Sequence, residues 1–205
     1  MKPAWIYILV IFFAQAIVSG LDLLGGCTTM DCNFLTKYLI LNPSDPSSYL
    51  GIITMHVLHG GWQHLMGNMS SLLFLSILLS MNFTKVNYKR LYPVFAIFIG
   101  LFVILFSSKP VIGASGIVYA LYGYTITRGY LSDKKMLVLI ASFMFFIKGS
   151  ALFAGMVPSG NVFSRISWEG HLGGAIIGVI MGAIESDYIK NEAKKFLTKT
   201  YKRFE

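Results

Sequence analysis

The stretch Trp168-Glu-Gly-His-Leu-Gly-Gly-Ala-Ile-Ile-Gly-Val-Ile-Met-Gly-Ala-Ile184 decides the fold. It carries a single acid and no lysine, arginine or proline. That composition suits a helix at membrane depth. Gly170, Gly174, Gly178 and Gly182 recur at every fourth position and so share one helix face. A small-residue stripe of this kind lets a second backbone come close. A partner stripe exists in Gly116, Ala120 and Gly123, within the segment from Ser115 to about Thr127. The two segments are expected to pack against each other with little side chain between them.

Working outward, four more apolar segments can be read: Trp5 to Leu21, His64 to Met81, Leu91 to Ser107, and Met136 to about Met156. Hydrophobic residues make up 55% of the 205 residues and charged residues 13%, about half the charged share of a globular domain. The expected fold is an all-α membrane protein, a six-transmembrane-helix bundle in lipid. Residues 1–186 would form its core and residues 187–205 a basic tail, read as an interfacial helix. The first segment also resembles a signal peptide, with Lys2 before the apolar run and Ser19-Gly20 after it, but the run is long for one and suits a retained helix better.

The net charge of +8 is spread over short loops and the tail. No base-stacking motif interrupts it, so nucleic acid is excluded as a partner, and membrane topology with anionic lipid accounts for it. Thirteen of the 17 Lys and Arg fall on one side of the six segments: Lys2, Lys85, Lys89, Arg90, Arg128, Lys134, Lys135 and six in the tail. Lys37, Lys109, Lys148 and Arg165 fall on the other. Both termini are therefore expected in the cytoplasm. The connection from about Asp22 to Gly61 would lie outside; it is long for a bundle, with a turn at Pro43-Ser-Asp-Pro46. It holds both cysteines, Cys27 and Cys32. Two cysteines do not complete a zinc site, and a disulfide and two free thiols are equally open.

Polar side chains within apolar spans mark function by default. His56, His59, His64, Asn68, Ser115, Tyr119 and His171 lie in or just before the second, fourth and sixth segments, which share a direction. Asn68 precedes Asn82 by fourteen residues, Ser115 precedes Arg128 by thirteen, and His171 precedes Glu185 by fourteen. At about 1.5 Å per residue all three sit roughly 20 Å above one plane, in a single layer slightly below the outer surface.

Ser115 stands in Gly113-Ala-Ser-Gly116 at the start of its segment. Unpaired N–H groups at a helix N-terminus suit an oxyanion, and the glycines admit a substrate backbone. A plain helix cap is the alternative. His171 could take the serine proton and return it to a leaving amine; a histidine satisfied by a backbone carbonyl is its alternative. Tyr119, one turn below Ser115, could stack on the imidazole or be simple packing. His64 and Asn68 share a helix face and could supply further N–H donors, whereas a His-plus-Asn pair is a poor metal site. His59 reads as a structural tie between loop and helix, and His56 as weaker still. No third triad member stands out: Glu169 is two residues before His171, and Lys148 has no supporting pattern.

Trp62-Gln-His64-Leu-Met-Gly-Asn68, Gly113-Ala-Ser115-Gly116-Ile-Val-Tyr119 and Gly170-His171-Leu-Gly-Gly174-Ala-Ile-Ile-Gly178 together resemble the signature stretches of the rhomboid intramembrane serine proteases, in order, spacing and hosting helix. The resemblance implies Ser115 as nucleophile and His171 as base. It implies an oxyanion site of His64, Asn68 and the Ser115 N–H, with Tyr119 packed on His171, and no metal or cofactor. Substrates would be transmembrane proteins, cut at a site opening to the extracytoplasmic side. The loop from about Met156 to Ser167 would cap the site and the fifth helix would border substrate entry. The Trp-Arg pair that some bacterial members carry in the first loop is absent here, so the resemblance does not say how that loop is anchored. A catalytically inactive relative that binds membrane clients is the alternative, and it usually loses the serine or the histidine. A small transporter would instead spread ionisable groups through the membrane depth.

Overall fold

The computed structural model describes residues 4–24, 34–83, 86–147 and 167–201, and these are helical apart from their connections. The helices in order are α1 (Ala4–Leu24), α2 (Phe34–Leu39), α3 (Gly51–Thr54), α4 (Trp62–Asn82), α5 (Tyr88–Phe106), α6 (Ser115–Leu131), α7 (Lys135–Ile147), α8 (Trp168–Ile184) and α9 (Asp187–Tyr201). Each of the six apolar segments holds one long helix. Cys27, Cys32, Lys148 and the expected cap from Met156 to Ile166 lie outside the described residues.

α4 and α5 are each long and apolar enough to cross a membrane, and α8 with α9, bent by 51°, makes a third such unit if the pair is one span. Large apolar side chains face outward on the long helices, with Leu105 74% and Phe146 79% exposed. Apolar surface on that scale needs lipid around it. The chain is an integral membrane protein.

Local chemistry fixes where the helices begin. The Asn87 side chain accepts from the Arg90 N–H at 3.2 Å and caps α5. Ser167 Oγ accepts from the Gly170 N–H at 3.1 Å and caps α8, which sets His171 in the first turn. Leu75, Leu79, Leu91, Phe95, Ile99 and Ile117 form the centre of a core shared by α4, α5 and α6.

α6 and α8 run side by side with backbone against backbone, as the two stripes predict. A Cβ added to Gly123 would lie 2.8 Å from the Ala175 carbonyl oxygen, and one on Gly182 2.7 Å from that of Tyr124. The pair stays in register along its length. Ser115 meets His171 at one end, and at the other Arg128 Nη1 lies 3.8 Å from Glu185 Oε2. Arg128 and Glu185 thus belong to one physical layer. In it Arg90 pairs with Glu185 at 2.7 Å, Tyr124 donates to Glu185 at 2.7 Å, Arg128 donates to Tyr124, and the Arg128 guanidinium sits 3.9 Å from the centre of the Phe83 ring.

The described part of the first loop is held by backbone and side-chain hydrogen bonds. Leu41 and Val111 exchange backbone hydrogen bonds of 3.2 and 2.8 Å, and the Gly113 N–H donates to Met55 O at 2.9 Å. Thr54 Oγ1 donates to Leu39 O at 2.8 Å. From α1, Gln15 Nε2 reaches His56 O at 3.3 Å and Ser19 Oγ donates to Val57 O at 2.6 Å. The loop is also partly helical, and α3 crosses α5 where Gly100 leaves room: a Cβ there would fall 2.7 Å from Ile52 Cγ2.

In the tail, Asp187–Tyr201 form α9. Ile189, Phe196 and Leu197 are exposed on it, and so are Lys190, Lys194 and Lys195, on other parts of its circumference.

Candidate active site

Ser115 opens α6, and the cap position before it is Ala114, which makes no side-chain capping bond. Ser115 is therefore not a helix cap. Its Oγ lies 2.7 Å from His171 Nε2. For Nε2 to accept the serine hydroxyl hydrogen, the neutral imidazole must carry its proton on Nδ1. The Tyr119 ring stacks on that imidazole, with centroids 4.2 Å apart and planes 14° from parallel. His171 and Tyr119 are both buried, at 8% and 3% exposure, so neighbours on α6 fix the ring on α8.

Glycine backbone makes this meeting possible. A Cβ on Gly116 would lie 2.9 Å from the Gly170 carbonyl oxygen, and one on Gly174 would lie 2.9 Å from the Gly116 carbonyl carbon. At Gly178 a Cβ would collide with the backbone of Ala120, 2.8 Å from its Cα. Gly113 has a different reason. Its φ is +120°, a region L-residues rarely adopt. A Cβ there would fall 2.7 Å from His64 Cε1 and 3.0 Å from His64 Nε2, with Ser115 Oγ 3.8 Å away. This places the Cε1–Nε2 edge of His64 against the turn that carries Ser115.

Asn68 lies one turn below His64 on α4 and is buried, and its Nδ2 donor has no hydrogen-bond partner. A buried donor left unpaired costs about 1–3 kcal/mol. The first bond at the head of α6 runs from the Ile117 N–H to Ala114 O at 2.9 Å, so the Ser115 and Gly116 N–H groups ahead of it have no partner within the helix. His64 Nε2, set against the Gly113 turn, is a further ring nitrogen beside the serine. Glu169 accepts from Ser167 Oγ at 3.2 Å.

His59 and His56 carry more than their sequence positions foretell. Both are fully buried. His59 Nδ1 is 2.9 Å from Ser19 Oγ, and its ring meets that of His64 edge-on, with centroids 5.0 Å apart. His56 Nε2 lies 3.3 Å from Ala96 O. Burial pushes the pKa of His56 down to about 4 and that of His59 to about 3, so both are neutral rings at physiological pH. No local signal pointed to Ser19 or Gln15, since they matter only through the way α1 docks. Among the described residues no group of three or more His, Cys, Asp or Glu is placed to hold a metal ion.

Residues 46–188 match the family model described as Rhomboid domain. The chain is also similar to a protein of Mycobacterium bovis named only as uncharacterized, at 27% identity over 190 residues covering 87% of this chain and 75% of that protein. A Mycobacterium tuberculosis protein with the same wording in its name matches to the same extent. A Mycobacterium leprae protein, also named uncharacterized, is 30% identical over 140 residues, 63% of this chain and 53% of its own length. The Rhomboid domain match takes in most of the sequence and every residue discussed at the site apart from those contributed by α1, and on that match the chain belongs to the rhomboid family.

Proposed function

We propose that this protein is an intramembrane serine endopeptidase that cleaves transmembrane segments of membrane proteins with a Ser115–His171 dyad. The observation that carries the reading is the 2.7 Å approach of Ser115 Oγ to His171 Nε2 at the head of α6. His171 Nε2 takes the serine proton as Oγ attacks the scissile carbonyl, then delivers it to the leaving amine. A water deprotonated by the same nitrogen releases the acyl group. The oxyanion formed at each step is met by the Ser115 N–H, Asn68 Nδ2 and His64. The unpaired state of Asn68 Nδ2 supports this role, since a donor held free in the resting protein gains a partner in the transition state. The presence of both serine and histidine favours catalysis over the client-binding alternative.

The topology belongs to the same reading. Six spans in residues 1–186 carry the site, residues 187–205 form a basic tail against the bilayer surface, and both termini face the cytoplasm. The site then lies near the extracytoplasmic side of the cell membrane, where water can enter while substrate arrives through lipid. A helical substrate must unwind to expose its peptide bond, so small or helix-breaking residues near the cut are expected to favour cleavage. The test is co-expression with tagged single-span substrates. Wild type should give a fragment that both Ser115→Ala and His171→Ala fail to give, and equal fragments from all three would refute the dyad.

A further inference from the structure

Ser19 and His59 lie outside the dyad and the oxyanion donors, yet both are fully buried and joined to each other. Their hydrogens can be assigned by donor and acceptor chemistry. Ser19 Oγ is 2.6 Å from Val57 O, and a carbonyl only accepts, so the single serine hydrogen points to Val57. Ser19 Oγ can then only accept from His59 Nδ1, 2.9 Å away. The proton of the neutral His59 ring is thereby on Nδ1, and Nε2 carries a lone pair. That Nε2 is buried with no hydrogen-bond partner. The burial that lowers the His59 pKa to about 3 keeps the ring from gaining a second proton.

The same ring stands edge-on to His64, at 5.0 Å between centroids and 72° between planes. A buried lone pair attracts the positive N–H or C–H edge of a neighbouring imidazole and repels that ring's own lone pair. Two rotamers of His64 related by a ring flip therefore differ in energy. On its far side His64 presents Cε1 and Nε2 to Gly113, beside Ser115.

We propose that Ser19 and His59 are positioning residues for His64: the hydrogen bond from His59 Nδ1 to Ser19 Oγ locks the His59 ring, and the locked ring fixes which edge of His64 faces Gly113 and Ser115. The consequence for catalysis rests on His64 acting as an oxyanion donor. α1 thereby sets the geometry of a site to which it contributes no reacting group.

The chain has four histidines, at 56, 59, 64 and 171, so 15N-histidine spectra of the full-length protein in micelles can be assigned by single substitution. The wild type should show His59 as the Nδ1–H tautomer. His59→Asn places an amide donor near the Nδ1 position, keeping the tie to Ser19 while removing the ring edge. It should shift the His64 ring signals with melting temperature unchanged, and lower kcat roughly 10- to 100-fold with KM unchanged. Ser19→Ala should shift the His64 signals in the same direction. A His59 ring protonated on Nε2, or His64 signals unmoved in both variants, overturns the inference. Shifted His64 signals in a protein whose wild type shows no Ser115-dependent cleavage would uphold the positioning and overturn the protease reading alone.

Discussion

Ser115, His171 and Tyr119 make one unit in which each contact restrains the next. The hydroxyl meets Nε2 at 2.7 Å and the phenol ring stacks on the imidazole. Asn68 adds a buried donor with nothing to bind in the resting protein. Asn68→Ala should therefore lower kcat by roughly 10²–10³-fold and leave KM almost unchanged, since loss of an oxyanion donor is felt in the transition state; steady-state cleavage of a tagged substrate measures both. His56 and His59 predict a pH effect on stability. Above about pH 6.5 each ring is neutral whether the loop is folded or not, and stability is flat. As pH falls from 6.5 towards about 4 for His56 and about 3 for His59, the unfolded loop binds protons that the folded loop refuses. Stability thus declines across that window. Thermal unfolding of wild type between pH 7 and pH 4 should show the decline, with a shallower slope in His56→Gln; identical slopes would contradict it. The meeting of Ser115 and His171 was legible in the sequence because each stands beside glycines of one of the two facing stripes. His56 was not, because its burial depends on α5 lying over the loop, and no local spacing encodes that.

At the scale of elements, the close approach of α6 and α8 is the device that brings Ser115 and His171 together. Glycines at four-residue spacing made it readable in advance, since only backbone is left to touch. The Arg90–Glu185–Arg128–Tyr124 cluster has no sequence signature of its own, because charges near helix ends are ordinary in membrane helices. Two glycine substitutions separate packing from propensity. A side chain on Gly174 meets the backbone of Gly116, 3.3 Å from its Cα, whereas one on Gly67 in α4 meets nothing within 4 Å. Gly174→Val should destabilise by 1–3 kcal/mol or more and abolish cleavage by forcing α8 from α6. Gly67→Ala should be neutral or stabilise by up to about 1 kcal/mol. Denaturation in detergent compares them, and equal melting temperatures for the two would refute the close-packing account.

For the whole molecule, the first loop, α1 and the α6–α8 pair form one connected body: Gln15 and Ser19 tie α1 to the loop, and the loop ties to the turn before Ser115 through Met55 and Gly113. The all-helical character was legible from apolar segment length, while the docking of the loop was not, because its ties are single hydrogen bonds between distant residues. The proposed orientation predicts that a fluorescent protein fused after Glu205 is bright and alkaline phosphatase fused there is inactive; the reverse pattern would invert the site to the cytoplasmic face. The central claim concerns one oxygen and one nitrogen, and a fluorophosphonate probe addresses it in the intact protein. Mass spectrometry of labelled wild type should find the adduct on the Ser115 peptide, with labelling lost in Ser115→Ala and strongly reduced in His171→Ala. An adduct elsewhere in the chain, or undiminished labelling of Ser115 without His171, would contradict the dyad.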